Sequence, residues 1–362
     1  MMTSRLAVAT FVGLLAIGQF AGAADNMDPQ LRAKAQQSID SGIKFLTSRQ
    51  ADNGSVLGSV GLTALSLRAV LENPGGATAA DRSVVDSYAA FIVSKANPDG
   101  SICEIQHDQS YNTAVALTAL AATKEDRYLT TIANGQKYMQ KHQVDESEGF
   151  KPVDNWYGGL GYGGEERPDL SNLYIALESL RATSLDPNDP VWQKALTFVT
   201  RMQNRSESND QPWAGNDGGF MYSPAWNPPE YGGGTKSYGS VTAAGLISLL
   251  FAGVDKSDPR VQAAHQWLTS NYTLDMNPGT NSKHGLYYFY NAFAKVMRAY
   301  GEDEFTDSSG RRHNWRNELA ERLIKLQDAD GSWANKDSAL WWENKPELAT
   351  AWSVIALEQI VQ

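Results

Sequence analysis

The stretch Lys325-Leu-Gln-Asp-Ala-Asp-Gly-Ser-Trp333 decides how this chain is read. It follows a helical run, LAERLIKLQ, and precedes a far more apolar one, LATAWSVIALEQIV. The same grammar recurs upstream. Segments like the first run are GIKFLTSRQ, YAAFIVSKAN, GQKYMQKHQ, ALTFVTRMQ and AHQWLTSNY, each with an apolar pair: Phe45-Leu46, Phe91-Ile92, Tyr138-Met139, Phe198-Val199, Trp267-Leu268 and finally Leu323-Ile324. After each comes a polar turn, several with glycine, and then a greasy run: SVGLTALSLRAVL, YNTAVALTALAAT, LSNLYIALESLRAT, SVTAAGLISLLFAGV, GLYYFYNAFAKVMRAYG and LATAWSVIALEQIV.

A helix with one apolar stripe belongs at a surface, and a helix apolar on nearly all sides belongs between other helices. Six units that alternate the two kinds predict two concentric rings, the greasy helices inside and the amphipathic ones outside. The expected fold is therefore all-α, an (α/α)6 toroid of six helix-pair repeats in one domain spanning 24–362. An open solenoid is the competing architecture. Six units with no polar capping repeat favour closure.

The first 23 residues hold one basic residue, Arg5, then an apolar stretch from Leu6 to Phe20, then Ala21-Gly22-Ala23. That order is a secretory signal peptide, so export to the periplasm or the outside is expected. No later stretch is apolar enough to predict stable membrane insertion. The net charge of -10 argues against nucleic acid and against an anionic lipid surface as partners. The one cysteine, Cys103, permits no internal disulfide, so stability must come from packing.

With these repeats on the page, the chain resembles the squalene cyclase and protein prenyltransferase superfamily, whose repeat ends in Q-x(2–5)-G-x-W. Gln327, Gly331 and Trp333 match that signature fully, Gln50 with Gly54 in part, and Gly100, Gly149 and Gly219 are read as its turn glycine in degenerate copies. The similarity runs from about Met27 to Val361. It implies a toroid with a central apolar cavity that accepts polyprenyl chains or their cyclised products. The cyclases of this family carry a D-x-D-D acid and the prenyltransferases a zinc site with D-x-C. Neither motif is present, Cys103 standing four residues after Asp99 in DGSIC, so no zinc or other cofactor is expected. Cys103 and Gln106 also have the C-x-x-Q spacing of thioester toroids, but Ile105 stands where those have Glu. The favoured reading of Cys103 is a covered, inert thiol.

Chemistry in a toroid is expected where turns feed the inner helices. The candidates for acid and base roles there are Asp108, Asp169, His284 and Glu347. Those for ligand contact are Tyr111, Asn112, Asn172, Tyr238, Tyr287 and Tyr288, with Tyr174 deeper in the same cavity. Helix capping alone accounts for Asp169, Ser171, Ser240 and Glu347 equally well. His107, His142, His265 and His313 show no metal-ligand spacing, and His142 and His265 are expected to be solvated on outer helices.

Aromatics gather in the long turns: Trp156, Tyr157 and Tyr162; Trp213, Tyr222, Trp226 and Tyr231; Trp341 and Trp342. They are expected to pack under their own loops, or alternatively to form a sugar-binding groove. The loop from Gln211 to Lys236 is expected to lie over the barrel mouth. The partner is thus an apolar small molecule, with a glycan as the second possibility and a non-catalytic interaction scaffold as the third.

Overall fold

The computed structural model describes residues 27–76, 79–104, 108–163 and 167–362, so the expected leader and Gln106 lie outside the described residues. Among the described residues, twelve α-helices alternate as the repeats predict. The outer set is α1 (Pro29–Ser48), α3 (Ala79–Ser94), α5 (Leu129–Lys141), α7 (Pro190–Met202), α9 (Pro259–Ser270) and α11 (Trp315–Leu326). The inner set is α2 (Val60–Glu72), α4 (Gln109–Ala122), α6 (Leu170–Ala182), α8 (Gly239–Phe251), α10 (Leu286–Tyr300) and α12 (Pro346–Val361). Inner helices pack in the order α2, α4, α6, α8, α10, α12, and α12 packs back on α2, so the ring is closed.

Local sequence explains both rings. Three outer helices begin Asp-Pro: Asp28, Asp189 and Asp258 each accept a hydrogen bond from a first-turn N–H while proline occupies the first helical position. Outer helix α1 buries a stripe that includes Ala35, Ser38, Ile39, Gly42, Ile43 and Leu46. Inner helix α2 instead buries every residue from Val60 to Val70, as a helix enclosed by neighbours must. One element departs from the all-helical expectation. Strands β1 (Glu304–Thr306) and β2 (Arg312–Asn314) form a small antiparallel hairpin between α10 and α11. His313 fastens it, with Nε2 2.9 Å from Asp307 and Nδ1 2.9 Å from Glu318.

The repeat turns act as joints between neighbouring units. Gln327 donates from Nε2 to the carbonyl of its own turn glycine, Gly331, and to that of Ser38 on α1, both at 3.0 Å. Gln203 does the same with Gly218 and Arg260, and Gln143 with Gly158 and Val191. The glutamine therefore ties one outer helix to the next. Glycine is required in the turn for two reasons at once. At Gly158 φ is +83°, and a Cβ there would lie 1.8 Å from the Lys194 carbonyl on α7. The structure corrects the reading of the degenerate copies: the residues in this role are Gly158 and Gly218, not Gly149 and Gly219. Gly149 faces open space, and Gly219 meets side chains instead of the next outer helix's backbone. Insertions lengthen these two turns, and spacing alone picked the wrong glycine.

Five of the six inner helices, α2 to α10, are likewise begun by a neighbour. Ser110 N–H of α4 donates to Tyr162 O, Leu170 N–H of α6 to Tyr222 O, and Gly239 N–H of α8 to Pro278 O. Glu104 accepts from Val60 N–H of α2, and Glu343 from Leu286 and Tyr288 N–H of α10. In every case the acceptor comes from the stretch that precedes the following inner helix. Orphan N–H groups at helix starts demand such acceptors. Satisfying them across the joint lets the turns of successive repeats reinforce each other.

Candidate functional site

The ring leaves a narrow recess along its axis. Inner-helix residues facing outward, such as Leu67, Leu117 and Leu177, have no solvent-accessible surface, whereas Leu65, Val115 and Trp352 on the axial side retain 6–9%. Tyr111 and Tyr288 remain partly accessible although protein surrounds them. Tyr288 and Trp352 stand 5.6 Å apart, ring centre to ring centre. Tyr174 reaches in from α6 and is buried, and its hydroxyl has no hydrogen-bond partner among the described residues. The walls of the recess are thus mostly aromatic and apolar.

At the mouth, where the inner helices begin, polar chemistry gathers around Asp169. It caps α6, accepting at 2.9 Å from Asn172 N–H and at 2.6 Å from the Asn172 side-chain amide. Burial pushes its carboxyl up to about 6, although Asn172 and the neighbouring Tyr222 hydroxyl favour the charged form. Tyr162, Tyr238 and Tyr288 all lie within electrostatic reach of it. Tyr238 stacks on Tyr231 at 4.6 Å, and Tyr111 faces Tyr162 at 6.4 Å. Two of these rings, Tyr222 and Tyr231, come from the long loop between Gln211 and Lys236, which does reach the mouth.

The expected four-residue convergence of acids and base does not occur. Asp108 begins α4 and His284 precedes α10, and those helices stand opposite each other in the ring. His284 Nδ1 lies 2.6 Å from the Ser338 hydroxyl, within the sixth turn. Glu347 is buried and pairs with Arg49 at the end of α1, 3.5 Å away, so it joins the last repeat to the first. Tyr287 also leaves the ligand set, because its hydroxyl donates to Ala334 O and its ring packs on Tyr290, which is held by Arg322 of α11. Asn112 packs against the start of α2 at Gly61. The structure brings together Asp169, Asn172, Tyr111, Tyr238, Tyr288 and Tyr174, and Asp108 lies within electrostatic reach of Tyr111 and Tyr162 on the same side of the ring. His142 and His265 are not fully solvated as expected: each stacks on a tyrosine, Tyr138 and Tyr300 respectively, and burial lowers His265 to about 4. Cys103 is covered, and burial raises its thiol.

Three features were missed in the sequence. Glu343 is fully buried while holding the start of α10, and burial pushes it up to about 7 despite its N–H and Asn335 donors. Tyr162, Tyr222 and Tyr231 enter from loops without any pattern to flag them. The third is a floor of charge at the far end of the recess. Arg68 of α2 meets Glu178 of α6 at 2.8 Å, and Lys295 of α10 meets the same carboxylate at 2.9 Å. Burial alone would raise Glu178, but its two cations hold it down at about 2. Lys295 moves the other way, to about 8, because burial and the neighbouring Arg68 outweigh the one carboxylate it shares.

Beside this floor sits Glu358 of α12, fully buried, with neither carboxyl oxygen hydrogen-bonded among the described residues. Burial and nearby Glu72 push it well above the usual range, which outweighs the opposing effect of Arg68. Below an unfolded-state pKa of about 4.3 the group is protonated in both states and has no effect. As pH rises past that value the unfolded chain ionises and the folded one does not, so stability falls. Glu358→Gln is therefore expected to raise the denaturation midpoint at pH 8 and leave it unchanged at pH 4. The gain is about 1.4 kcal/mol for each pKa unit of displacement. An equal change at both pH values, in urea titrations, would contradict this.

The class defined by this geometry is a closed six-unit α/α toroid with an aromatic axial recess. No family model matches the chain, and no curated protein matches it. Solved structures do. The chain is similar to the type II terpene cyclase MstE from Scytonema in complex with its product merosterolic acid A, with a TM-score of 0.56, 12% identity, and coverage of 92% of this chain and 98% of that one. A second MstE structure, in complex with the substrate geranylgeranyl dihydroxybenzoate, gives 0.55 at 11% identity, covering 92% and 99%. A protein from Actinoplanes gives 0.51 at 15% identity, covering 91% and 100%. At such identities the likeness establishes a shared fold. No helix among the described residues is long and apolar enough to cross a membrane.

Proposed function

We propose that this chain takes an isoprenoid-type apolar molecule into the axial recess, and that Asp169 is the group placed to exchange a proton with it. The observation that carries this reading is a buried carboxyl of near-neutral pKa at the mouth of a recess walled by Tyr111, Tyr174, Tyr288 and Trp352. Such a carboxyl is populated in both forms at working pH, which general acid and base work requires. The electron-rich rings would favour positive charge developing on a bound hydrocarbon. The MstE complexes with a geranylgeranyl substrate and its cyclised product support the choice of ligand class, since that toroid matches this chain over nearly its full length. We carry export of the mature chain into the same proposal on the strength of the leader.

The test is binding and turnover of geranylgeraniol by the purified protein, followed by calorimetry and by mass analysis of extracted products. Tyr288→Ala should weaken binding about tenfold or more through loss of buried ring contact. Asp169→Asn should keep binding, because Asn also caps a helix well, and should abolish any product. Equal turnover by Asp169→Asn removes the proton-transfer role, and absence of binding by the native chain removes the whole reading. A glycan is the second reading, favoured by an open surface cleft of about 460 Å³ whose lining includes Glu148, Phe150, Asp154 and Trp156. Phe150 and Trp156 stack there at 6.1 Å. Binding of oligosaccharide lost on Trp156→Ala would establish that alternative.

A further inference from the structure

The end of the recess opposite the mouth is built from charge. Inner helices α4 and α8 contribute no charged residue. From α2 come Arg68 and Glu72, from α6 Glu178, from α10 Lys295 and Arg298, and from α12 Glu358. Arg68 is held on two sides, by Glu72 and by Glu178. Arg298 donates to the side-chain oxygen of Gln359, a neutral partner, at 2.8 Å. Arg316 of the outer ring lies beyond it and is matched by Asp303 at 2.7 Å. Burial and nearby Glu72 push Glu358 well above the usual carboxylate range. Of the three inner-helix cations, Arg298 has a neutral partner, and Lys295 shares its carboxylate, Glu178, with Arg68. Leaving a buried charge unmatched is costly.

Two donors lie near one another. Lys295 has three N–H groups, and the contacts with the two oxygens of Glu178, at 2.9 and 3.0 Å, occupy two of them. The Tyr174 hydroxyl is buried, stands within electrostatic reach of Arg68 and Glu178, and has no hydrogen-bond partner among the described residues. The Lys295 ammonium lies 5.6 Å from the centre of the Tyr174 ring. A buried hydroxyl without an acceptor is uncommon, and it marks either a water or a ligand oxygen.

We propose that this floor receives the carboxylate head of an amphiphilic ligand whose hydrocarbon tail runs up the axis between the tyrosines, with Lys295 and Tyr174 as its direct partners. The inference rests on the axial recess being a ligand site, and it names the polar end of that ligand. A carboxylate gives Lys295 a charge partner of its own in place of the one that it shares with Arg68. A phosphate or diphosphate would bring more negative charge into the interior than the floor can balance. Arg68, engaged on both sides, acts as a fixed positive field and makes no direct contact with the head.

The experiment compares two probes with one tail, farnesoic acid and farnesol, by calorimetric titration of the full-length mature protein at pH 7. Farnesyl phosphate serves as the dianionic control. The acid should bind at least tenfold more tightly than the alcohol, as a charge-assisted contact in a dry site allows, and the phosphate should bind more weakly than the acid. In Lys295→Met the preference for acid over alcohol should fall to about one, with alcohol affinity retained, and in Tyr174→Phe it should narrow. Equal binding of acid and alcohol by the native protein overturns the head site while leaving the recess a ligand site. Preference for phosphate, or a preference unchanged in both variants, also overturns it. Binding of neither probe removes the underlying reading as well. If Lys295→Met does not fold, the native ratio and Tyr174→Phe decide the matter.

Discussion

Glu178→Ala is expected to cost about 3–5 kcal/mol, the range for breaking a buried ion pair by removing one partner. A typical domain has about 5–15 kcal/mol in hand, so this one change endangers the fold. The reason is geometric. Glu178 lies between Arg68 at 2.8 Å and Lys295 at 2.9 Å, and its removal leaves two cations facing one another inside the ring. Because Glu178 titrates at about 2, its contribution is complete above the unfolded glutamate value of about 4.3 and is lost as pH falls toward 2. The native protein should therefore lose stability on acidification through that window, and Glu178→Ala should lose much less there. Adding Lys295→Met to Glu178→Ala should recover part of the loss, since it removes one of the stranded charges. Guanidinium titrations of the two single variants and the double variant form the cycle that measures this. Strict additivity, or a Glu178→Ala loss within about 0.5 kcal/mol, would show that the floor is not an energetic unit.

That floor also shows where the sequence was legible and where it was not. The alternation of striped and uniformly apolar helices made the two rings readable, because periodicity reports directly which faces are buried. The joint was readable in its sixth copy, where Gln327, Gly331 and Trp333 stand close together. In the third and fourth copies the turns are longer, and only the contact with the next outer helix distinguishes Gly158 and Gly218 from their glycine neighbours. The site was harder. The expectation of polar chemistry at inner-helix starts rests on those helices being apolar beyond them. Yet Arg68 in SVGLTALSLRAVL, Glu178 in LSNLYIALESLRAT and Lys295 in GLYYFYNAFAKVMRAYG are charges inside otherwise greasy runs. A charge in a helix with no solvent-facing side has to find its partner across the barrel, and opposite signs on alternate helices were the available signal. Tyr222 and Tyr231 had no such signal, because loop geometry decides where a loop ring points. Asp169 is legible as a polar residue at a helix start, but capping a helix and lining a recess call for the same residue at the same position.

Trp333→Ala should be about as damaging as loss of Glu178, at about 3–5 kcal/mol for a large aromatic side chain removed from a core. The indole is fully buried, and its N–H donates to the Leu323 carbonyl at 2.7 Å. It lies where the last repeat meets the first. A Cβ added at Gly42 of α1 would come within 2.9 Å of the ring, so glycine there is what lets helix and indole approach. The backbone N–H of Trp333 donates to Thr350 at the start of α12, while Gln327 reaches Ser38 on α1 and Gly331 packs on the Ser41 carbonyl. Trp333 thus closes the ring, and its loss should be felt first by α1, whose remaining inner neighbours are α12 and α2. Hydrogen exchange is expected to show early loss of protection across Pro29–Ser48, ahead of the inner helices, together with a lower denaturation midpoint. Ile102→Ala, at the equivalent turn position of the second repeat, should lower the midpoint by about 2–5 kcal/mol of stability without selectively exposing α1. Should α1 keep its protection while the midpoint of Trp333→Ala falls, the ring would be closed by α12 against α2 alone. The opening motif would then contribute packing without serving as the joint.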